Sequence, residues 1–392
     1  MESTTTLRRR FEDLVRQAER EVAENPKRYK LKLAALAAFG YAVIFVLLAI
    51  LIILLGGTLY GAFVSTAFLI ILIKKKIIIV LALAIWLLVK SLFVRIRAPE
   101  GLALTRADFP ELWREIDDLR GKLKALPVHN VVMVPDMNAA VAQTPRLGLF
   151  GPYKNTLVLG LELLMTLSPA QARAVLGHEF GHLSGAHGRF GNWIYRKRLT
   201  WARIGSVFEG NGSLGIGPMS RFINWYVPRL AGYSFALARQ QEYEADAVAA
   251  DLASREDAAS ALVLVRVRDQ ITREEFWKPL LQRAISDAEP EARTYSRLFE
   301  HLKSTQPSQA LAEAKIAEAM REKTDYGDTH PALRDRLHAL KTWPSIGMGG
   351  EMAAERWLGS RLGEVLSHFD SQWHDNNADA WRNRHTYAQE AI

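Results

Sequence analysis

The sequence predicts a mainly α protein with a small β-sheet, preceded by an N-terminal transmembrane helical hairpin. Residues 33–94 are almost wholly apolar, which is typical of membrane-spanning helices. After Pro99 the apolar residues recur at helical spacing instead. Short β-type runs interrupt that pattern at 131–134 and 156–159, bounded by Pro, Asn and Gly.

Residues 1–32 form a basic segment that reads as a charged helix. Apolar side chains fall on one side of it, at Phe11, Leu14, Val15 and Val22. We expect this helix to lie on the membrane or on the following domain, and a simple solvated face remains the alternative.

Residues 33–97 hold the predicted hairpin, with crossings at about 33–55 and 76–94. Leu33–Leu55 contains no charge and is long enough to span a bilayer. Gly56–Gly61 predicts a break, and residues 60–75 a turn or an interfacial piece.

The flanking charges predict the orientation of the hairpin. Lys and Arg precede it, and Arg95 and Arg97 follow it, so two crossings would leave both ends in the cytoplasm of a multi-pass inner-membrane protein. Three crossings stay open, because the triplet Lys74–Lys76 would then lie inside and the following domain outside.

Composition excludes several classes of protein. The net charge of +8 comes from residues that flank the apolar segment, which indicates contact with a lipid bilayer and not with nucleic acid. The absence of cysteine excludes disulfides, thiolate ligands and a cysteine nucleophile. Glycine-rich nucleotide-binding patterns are also absent.

Residues 98–345 read as one domain, and 346–392 as a packed helical extension. A helix is predicted at 109–126, before the two short strands. Further helices are predicted at 195–208, 221–252, 256–269, 273–286, 290–304, 308–322 and 331–341. Aromatic residues concentrate in 190–236, as an aromatic core or as a surface that contacts the bilayer.

The motif His178-Glu179-Phe180-Gly181-His182 is the strongest chemical signal. Positions i and i+4 share one helical face, so both imidazoles can bind one metal ion, and Glu179 lies beside them to act on water. Ser168, Pro169 and Gln171 predict the start of this helix through a capping box. Its glycines, Gly177 and Gly181, favour close approach of a second helix.

A catalytic zinc site needs a third protein ligand. His187 almost completes the three-histidine pattern but falls one residue short, with Gly188 at the required place, so we reject it. Glu242 and Asp246 share a face of a strongly helical run, and one carboxylate there could complete the set while the other fixes an imidazole. A solvated acidic face is the alternative.

Together, His178-Glu179-x-x-His182 and Glu242-x-x-x-Asp246 resemble the HtpX-type and CAAX prenyl endopeptidase membrane zinc peptidases. The resemblance implies a zincin-like α+β domain and one zinc ion held by His178, His182 and Glu242, with Asp246 supporting a histidine. It also implies oxyanion stabilisation by His330 and pairing of Arg336 with site carboxylates, from the block His330-Pro331 to Arg336. Asn138, Ala139 and the strand residues Thr156, Leu157 and Val158 resemble the edge on which such enzymes lay the substrate backbone.

The resemblance implies a membrane-anchored zinc endopeptidase with Glu179 as general base, acting on protein or peptide substrates in membrane protein quality control. HtpX itself has more membrane helices between its motifs, but residues 191–240 contain no uncharged run of that length, and no further crossing is expected. The rival hypotheses are a catalytically silent, zinc-stabilised scaffold and a metal-free membrane adaptor.

Overall fold

The computed structural model describes residues 4–92, 97–147, 150–210, 217–326, 328–345 and 350–390. It is mostly helical with one four-stranded sheet, as the sequence predicts. The chain divides into two compact units, one of residues 1–97, 144–153 and 189–240, the other of residues 98–143, 154–188 and 241–392. The sequence had suggested a single domain over 98–345.

The first unit begins with helices α1 (Thr4–Glu24), α2 (Pro26–Val64), α3 (Thr66–Lys74) and α4 (Ile77–Leu92). Asn25 caps α2, and Pro26 occupies its first turn, where the missing N–H costs nothing. In this unit α4 packs along α2. Leu33 and Ile44 on α2 are buried among side chains that include Trp201 and Tyr226.

The predicted break at Gly56–Gly61 is wrong, because α2 continues without interruption to Val64. The helix ends at Ser65, whose extended backbone leaves the helix and whose side chain caps α3. Gly61 has a packing role instead: a Cβ atom there would lie 2.6 Å from the ring of Phe68. Residues 66–74, predicted as a turn or interfacial piece, form α3.

Among the described residues, α2 is the one helix long and apolar enough to cross a membrane, and only 11% of its most apolar window is buried. The second predicted crossing, at 76–94, corresponds to α4, whose apolar part is shorter. Residues 93–94 lie outside the described residues.

The second unit holds the sheet, in the order β1-β2-β4-β3. Its strands are β1 (Leu102–Ala103), β2 (Asn130–Val134), β3 (Ala139–Leu147) and β4 (Phe150–Gly160), of which β3 and β4 extend into the first unit. β1 pairs antiparallel with β2, and β2 pairs parallel with β4 from Asn130 opposite Thr156 to Val134 opposite Gly160. In this order β3 pairs with β4 and forms one edge of the sheet, and β1 forms the other.

The remaining helices follow along the chain in both units. They are α5 (Pro110–Leu123), α6 (Leu161–Thr166), α7 (Pro169–Leu183), α8 (Gly185–Gly210), α9 (Gly217–Leu252), α10 (Arg255–Thr272), α11 (Lys278–Gln282), α12 (Thr294–Ser304), α13 (Gln309–Arg321), α14 (Leu333–Leu340), α15 (Ala353–Leu358) and α16 (Leu362–Glu390). A π-helical turn, Arg273–Trp277, joins α10 to α11. A 3-10 turn, Arg283–Ile285, follows α11, so the segment predicted as one helix over 273–286 is three short pieces.

The main core of the second unit includes Leu112 and Ile116 of α5, Leu157 and Leu159 of β4, and Phe180 of α7. Phe180 is fully buried, so the metal motif is anchored by the residue between Glu179 and Gly181. The apolar burial of α7 therefore fixes the face on which its two histidines lie.

Candidate metal centre

The helix that carries the histidine pair begins as the sequence predicts. Ser168 accepts a hydrogen bond from the Gln171 backbone N–H, and the Gln171 side chain accepts one from the Ser168 N–H. This capping box, with Pro169 at the first helical position, stabilises the start of α7. His178 and His182 follow on one face, one turn apart.

Two glycines let a second helix lie directly against this face. A Cβ atom at Gly181 would lie 3.2 Å from the Cα of Ala245 on α9, and one at Gly177 would lie 3.4 Å from the Cα of Ala249. The close crossing that the sequence suggested is present. It brings Glu242 and Asp246 of α9 to the histidines of α7.

Three side chains converge in the geometry of a metal site. His178 Nε2 lies 3.2 Å from His182 Nε2 and 3.4 Å from Glu242 Oε2, and His182 Nε2 lies 3.5 Å from Glu242 Oε1. Donor atoms that share a tetrahedral zinc ion with bonds of about 2.0–2.1 Å lie roughly 3.3–3.4 Å apart. The residues present therefore fit a metal ion such as zinc.

These carboxylates do not form a solvated face, which was the alternative left open by the sequence. Glu242 and Asp246 are 6% and 2% exposed. Burial favours the neutral form of Glu242, but its hydrogen bond with His178 overcomes this and lowers the pKa of Glu242 to about 2. Glu242 is thus an anion, as a metal ligand must be.

Asp246 contacts the ring nitrogen of His178 that faces away from the metal site. Its Oδ1 lies 3.0 Å from His178 Nδ1, which leaves Nε2 directed at the metal site. Arg336, on α14, donates two hydrogen bonds to the same carboxylate. Its Nε lies 2.8 Å from Oδ2, and its Nη2 lies 2.5 Å from Oδ1. Burial would raise the pKa of Asp246, but Arg336 and His178 lower it to about 2.

Glu179, which the sequence predicts as the general base, is half-buried beside the two histidines. Burial raises the pKa of its carboxyl, while the positive charge of His178 and the backbone N–H of Val141 on β3 act in the opposite direction. A carboxylate whose pKa is raised in this way is a stronger base for a proton on water.

His330 lies at the mouth of the same site, 56% exposed, with Nε2 3.5 Å from Glu242 Oε2. Asp328, two residues earlier, accepts from the His330 backbone N–H at 2.9 Å and lies 2.9 Å from its Nδ1. Sequence reasoning missed Asp328, although its spacing from the His-Pro pair was a usable signal. It orients a histidine that would otherwise be free to rotate.

The site opens into a cleft of about 800 Å³ within the second unit. Its walls include His178, Glu179, Asn138 and Ala139, together with residues of α10 and of the loop that leads to α14. Pockets that hold small ligands are commonly of this size. An extended peptide segment could enter such a space.

One expectation about the substrate strand needs correction. Thr156, Leu157 and Val158 belong to β4, which lies between β2 and β3, so their backbone groups are not available to an added strand. Thr156 and Leu157 are also buried. The edge strand next to β4 is β3, which begins at Ala139 directly after Asn138.

His187 adds no ligand to this account, because its side chain lies outside the described residues. Within the described part of the chain, His178, His182 and Glu242 are the group that could hold a metal ion. This is the set that the motif spacing and the resemblance predicted.

Comparison with known proteins agrees with this geometry. The model of peptidase family M48 matches residues 122–344, more than half of the chain. The chain belongs to peptidase family M48. It is therefore a peptidase of a metallopeptidase family, and the matched range contains the whole histidine and carboxylate cluster. No curated protein and no solved structure matches the chain.

Proposed function

We propose that this M48 peptidase is a zinc-dependent endopeptidase that hydrolyses peptide bonds within protein substrates. The observation that carries the proposal is the convergence of His178, His182 and Glu242, with Glu179 beside them, in one cleft. Two imidazoles and one carboxylate are a donor set typical of catalytic zinc, which keeps a fourth position open. The resemblance of the motifs favours the HtpX and CAAX prenyl endopeptidase branch.

A zinc ion held by these three residues would supply Lewis-acid activation of the scissile carbonyl and lower the pKa of water to near 7. Glu179 takes the proton of the attacking water and delivers it to the leaving amine. His330, oriented by Asp328, donates to the oxyanion that develops on the carbonyl. Asp246 and Arg336 keep His178 in the tautomer that directs Nε2 at the metal site.

We place the substrate backbone against β3. An edge strand has free N–H and C=O groups, and added strands bind through them with little dependence on side chains. Val141 on β3 contacts Glu179, so a peptide laid along this edge would pass beside the general base. Asn138 and Ala139 line the cleft where the strand begins.

We further propose that the first unit anchors the peptidase in the inner membrane. Apolar side chains point outward from three successive helices, with Phe63 90%, Ile71 52% and Ile79 64% exposed. Basic side chains lie over aromatic rings in the same unit, such as Lys197 over Tyr41 and Arg229 over Trp225. Such pairs are typical of the membrane–water interface. A role in membrane protein quality control follows by analogy with the resembled family.

The deciding experiment compares the wild type with Glu179→Gln, both purified in detergent and loaded with zinc. The variant keeps all three metal ligands, so its zinc content should stay near one ion per chain, while cleavage of casein falls by about 10²–10⁴-fold. Normal turnover by the variant would refute the mechanism. Negligible zinc without rescue by added zinc would favour the metal-free adaptor, and stoichiometric zinc without cleavage the silent scaffold.

A further inference from the structure

Part of the cleft wall has no role in the proposed chemistry. It contains two carboxylates and an indole: Glu162 on α6, Asp136 before β3, and Trp277 at the end of the π-helical turn. All three line the same cleft as His178 and Glu179. They lie on separate segments, so the tertiary fold has gathered them.

The backbone fixes Asp136 close to Glu162. The Gly160 N–H donates to Asn138 O at 2.7 Å, and the Glu162 N–H donates to Pro135 O at 3.3 Å. Both bonds hold the loop 135–138 against the start of α6. Gly160 is required for this approach, since a Cβ atom there would lie 1.8 Å from Asp136 O. The loop thus presents Asp136 at a defined place on the wall.

The buried carboxyl on this wall is short of positive charge. Glu162 is 8% exposed, and Trp277 donates a hydrogen bond to it. Arg273, whose charge lowers the pKa of Glu162, has an exposed side chain that pairs with Asp269. The other arginines on the cleft wall are also committed, Arg266 to Glu322 and Arg336 to Asp246.

A cationic side chain that entered here would find three complementary groups. Charge-assisted hydrogen bonds to two carboxylates are stronger than neutral ones, and they strengthen further at a site that excludes water. The side chain of Trp277, which also lines the cleft, offers apolar contact to the carbon chain of a lysine or arginine. Burial raises the pKa of Glu162 to about 7, and the charge of Asp136 adds to this effect. A cation placed beside the two carboxylates would therefore stabilise their charged forms.

We propose that Glu162, Asp136 and Trp277 form a subsite that takes a lysine or arginine side chain of the peptide substrate. The inference rests on the proposed endopeptidase function, because the subsite lies in the cleft that would hold the peptide. It makes the enzyme selective for basic residues at one position relative to the scissile bond.

The test uses the zinc-loaded full-length protein and quenched fluorescent peptides that carry either Lys or Gln at one scanned position. At one position, kcat/KM should favour Lys over Gln by about tenfold or more, the usual worth of a hydrogen bond to a charged group. Glu162→Gln should reduce that ratio to near one. The control Glu313→Gln, at an exposed position of α13, should leave the ratio unchanged.

Binding is measured separately, so that the outcome does not depend on turnover. In the Glu179→Gln background, the Lys peptide should bind more tightly than the Gln peptide, and adding Glu162→Gln should abolish the difference. Cleavage and binding without any Lys preference would overturn the subsite and leave the proposed function intact. A Glu162-dependent binding preference without cleavage by zinc-loaded wild type would support the subsite and refute the endopeptidase.

Discussion

At the scale of single residues, the orientation of His178 depends on a buried ion pair. Asp246 is 2% exposed and touches both His178 and Arg336. A buried carboxylate that loses its cationic partner is costly, because the remaining charge has neither water nor a counterion. Arg336 therefore acts on the metal site through Asp246, without contacting the metal.

We expect Arg336→Met to weaken zinc binding by about 10–100-fold, the usual effect of removing a partner that orients a metal-binding histidine. Methionine retains most of the length of the side chain but has no charge. The measurement is zinc competition with a chelator at constant pH. Arg334→Met on the same helix is the control, since the Arg334 side chain is 52% exposed and pairs with its neighbour Asp335. Equal zinc affinity of the two variants would contradict this role.

The burial of Glu162 has a consequence for stability as well as for binding. Burial and the charge of Asp136 raise its pKa from 4.5 to about 7, while Trp277 and Arg273 act in the opposite direction. The negative charge of Glu162 in turn contributes to the raised pKa of the buried Tyr295. Because the folded-state pKa lies above the unfolded one, ionisation of Glu162 destabilises the fold as pH rises from about 4.5 to about 7.

Glu162→Gln should therefore stabilise the protein at pH 8, where the cost of the ionised group reaches about 3 kcal/mol. The gain should shrink at pH 5, where Glu162 is protonated in the folded state. Thermal unfolding midpoints at the two pH values measure this, with Glu313→Gln as control. The same gain at both pH values would show that ionisation of Glu162 is not its cause.

The residues of the site differ in how far the sequence could predict them. His178 and His182 follow from helical spacing alone, since one turn of helix sets their distance. Glu242 needed both a helical pattern and the family resemblance. Asp328 lies two residues before His330, so local spacing could have indicated it. Glu162 and Trp277 acquire their roles only from tertiary contacts between distant segments, which no local spacing encodes.

At the scale of secondary structure, the crossing of α7 and α9 builds the metal centre. Gly177 and Gly181 lie against the Cα atoms of Ala249 and Ala245, and the side chains of Leu252 and Val248 pack on the same two glycines. Each glycine destabilises an isolated helix by about 1 kcal/mol relative to alanine. Close contact of the helices is the compensating gain, and it sets the distance from His178 and His182 to the ligand on α9.

We expect Gly181→Val to reduce zinc affinity and peptide cleavage together, because its methyl groups would push α9 away from the histidines. Gly121→Val is a matched control within α5, where an added Cβ atom meets nothing within 4 Å. That variant should bind zinc like the wild type. Zinc affinity by chelator competition and folding by circular dichroism separate loss of the site from loss of the fold. Normal zinc affinity in a folded Gly181→Val protein would contradict the crossing.

The strands and the glycine-rich stretch show where local patterns were insufficient. The run 156–159 correctly predicted a strand, but its place inside the sheet depends on pairing with β2 and with β3, which sequence periodicity does not report. The glycines of 56–61 predict a break, but α2 continues through them because the apolar residues on both sides are helical. Of these glycines, Gly61 allows close packing of Phe68, and an added Cβ atom at Gly56 or Gly57 would meet nothing within 4 Å.

At the scale of the whole molecule, the features of a peptidase and those of a membrane anchor fall in different compact units. The metal cluster and its cleft lie in the second unit, and the apolar helix α2 lies in the first. The extension 346–392 belongs to the second unit, where Asp370 of α16 accepts hydrogen bonds from the backbone N–H groups of Tyr295 and Ser296 at the start of α12. The described part of the extension thus contains α15 and α16, and α16 packs against α12.

The number of membrane crossings can be tested with engineered cysteines, since the chain has none of its own. Two crossings place Lys75, between α3 and α4, outside the cell and the peptidase unit inside. Lys75→Cys should then react with an impermeant maleimide on intact cells. The side chain of Asp379, on α16, is 93% exposed. Asp379→Cys should react only after permeabilisation.

Both cysteine variants are made in the full-length protein, and each must retain zinc-dependent cleavage so that labelling reports the native orientation. Three crossings would reverse the pattern, with Asp379→Cys labelled on intact cells and Lys75→Cys protected. If neither cysteine is labelled before permeabilisation, both sites lie on the cytoplasmic side of the membrane. That result would contradict both the two-crossing and the three-crossing arrangement. Only the first pattern gives the peptidase cleft access to cytoplasmic parts of membrane proteins, because the polypeptide must reach β3 and Glu179 from the same side of the bilayer.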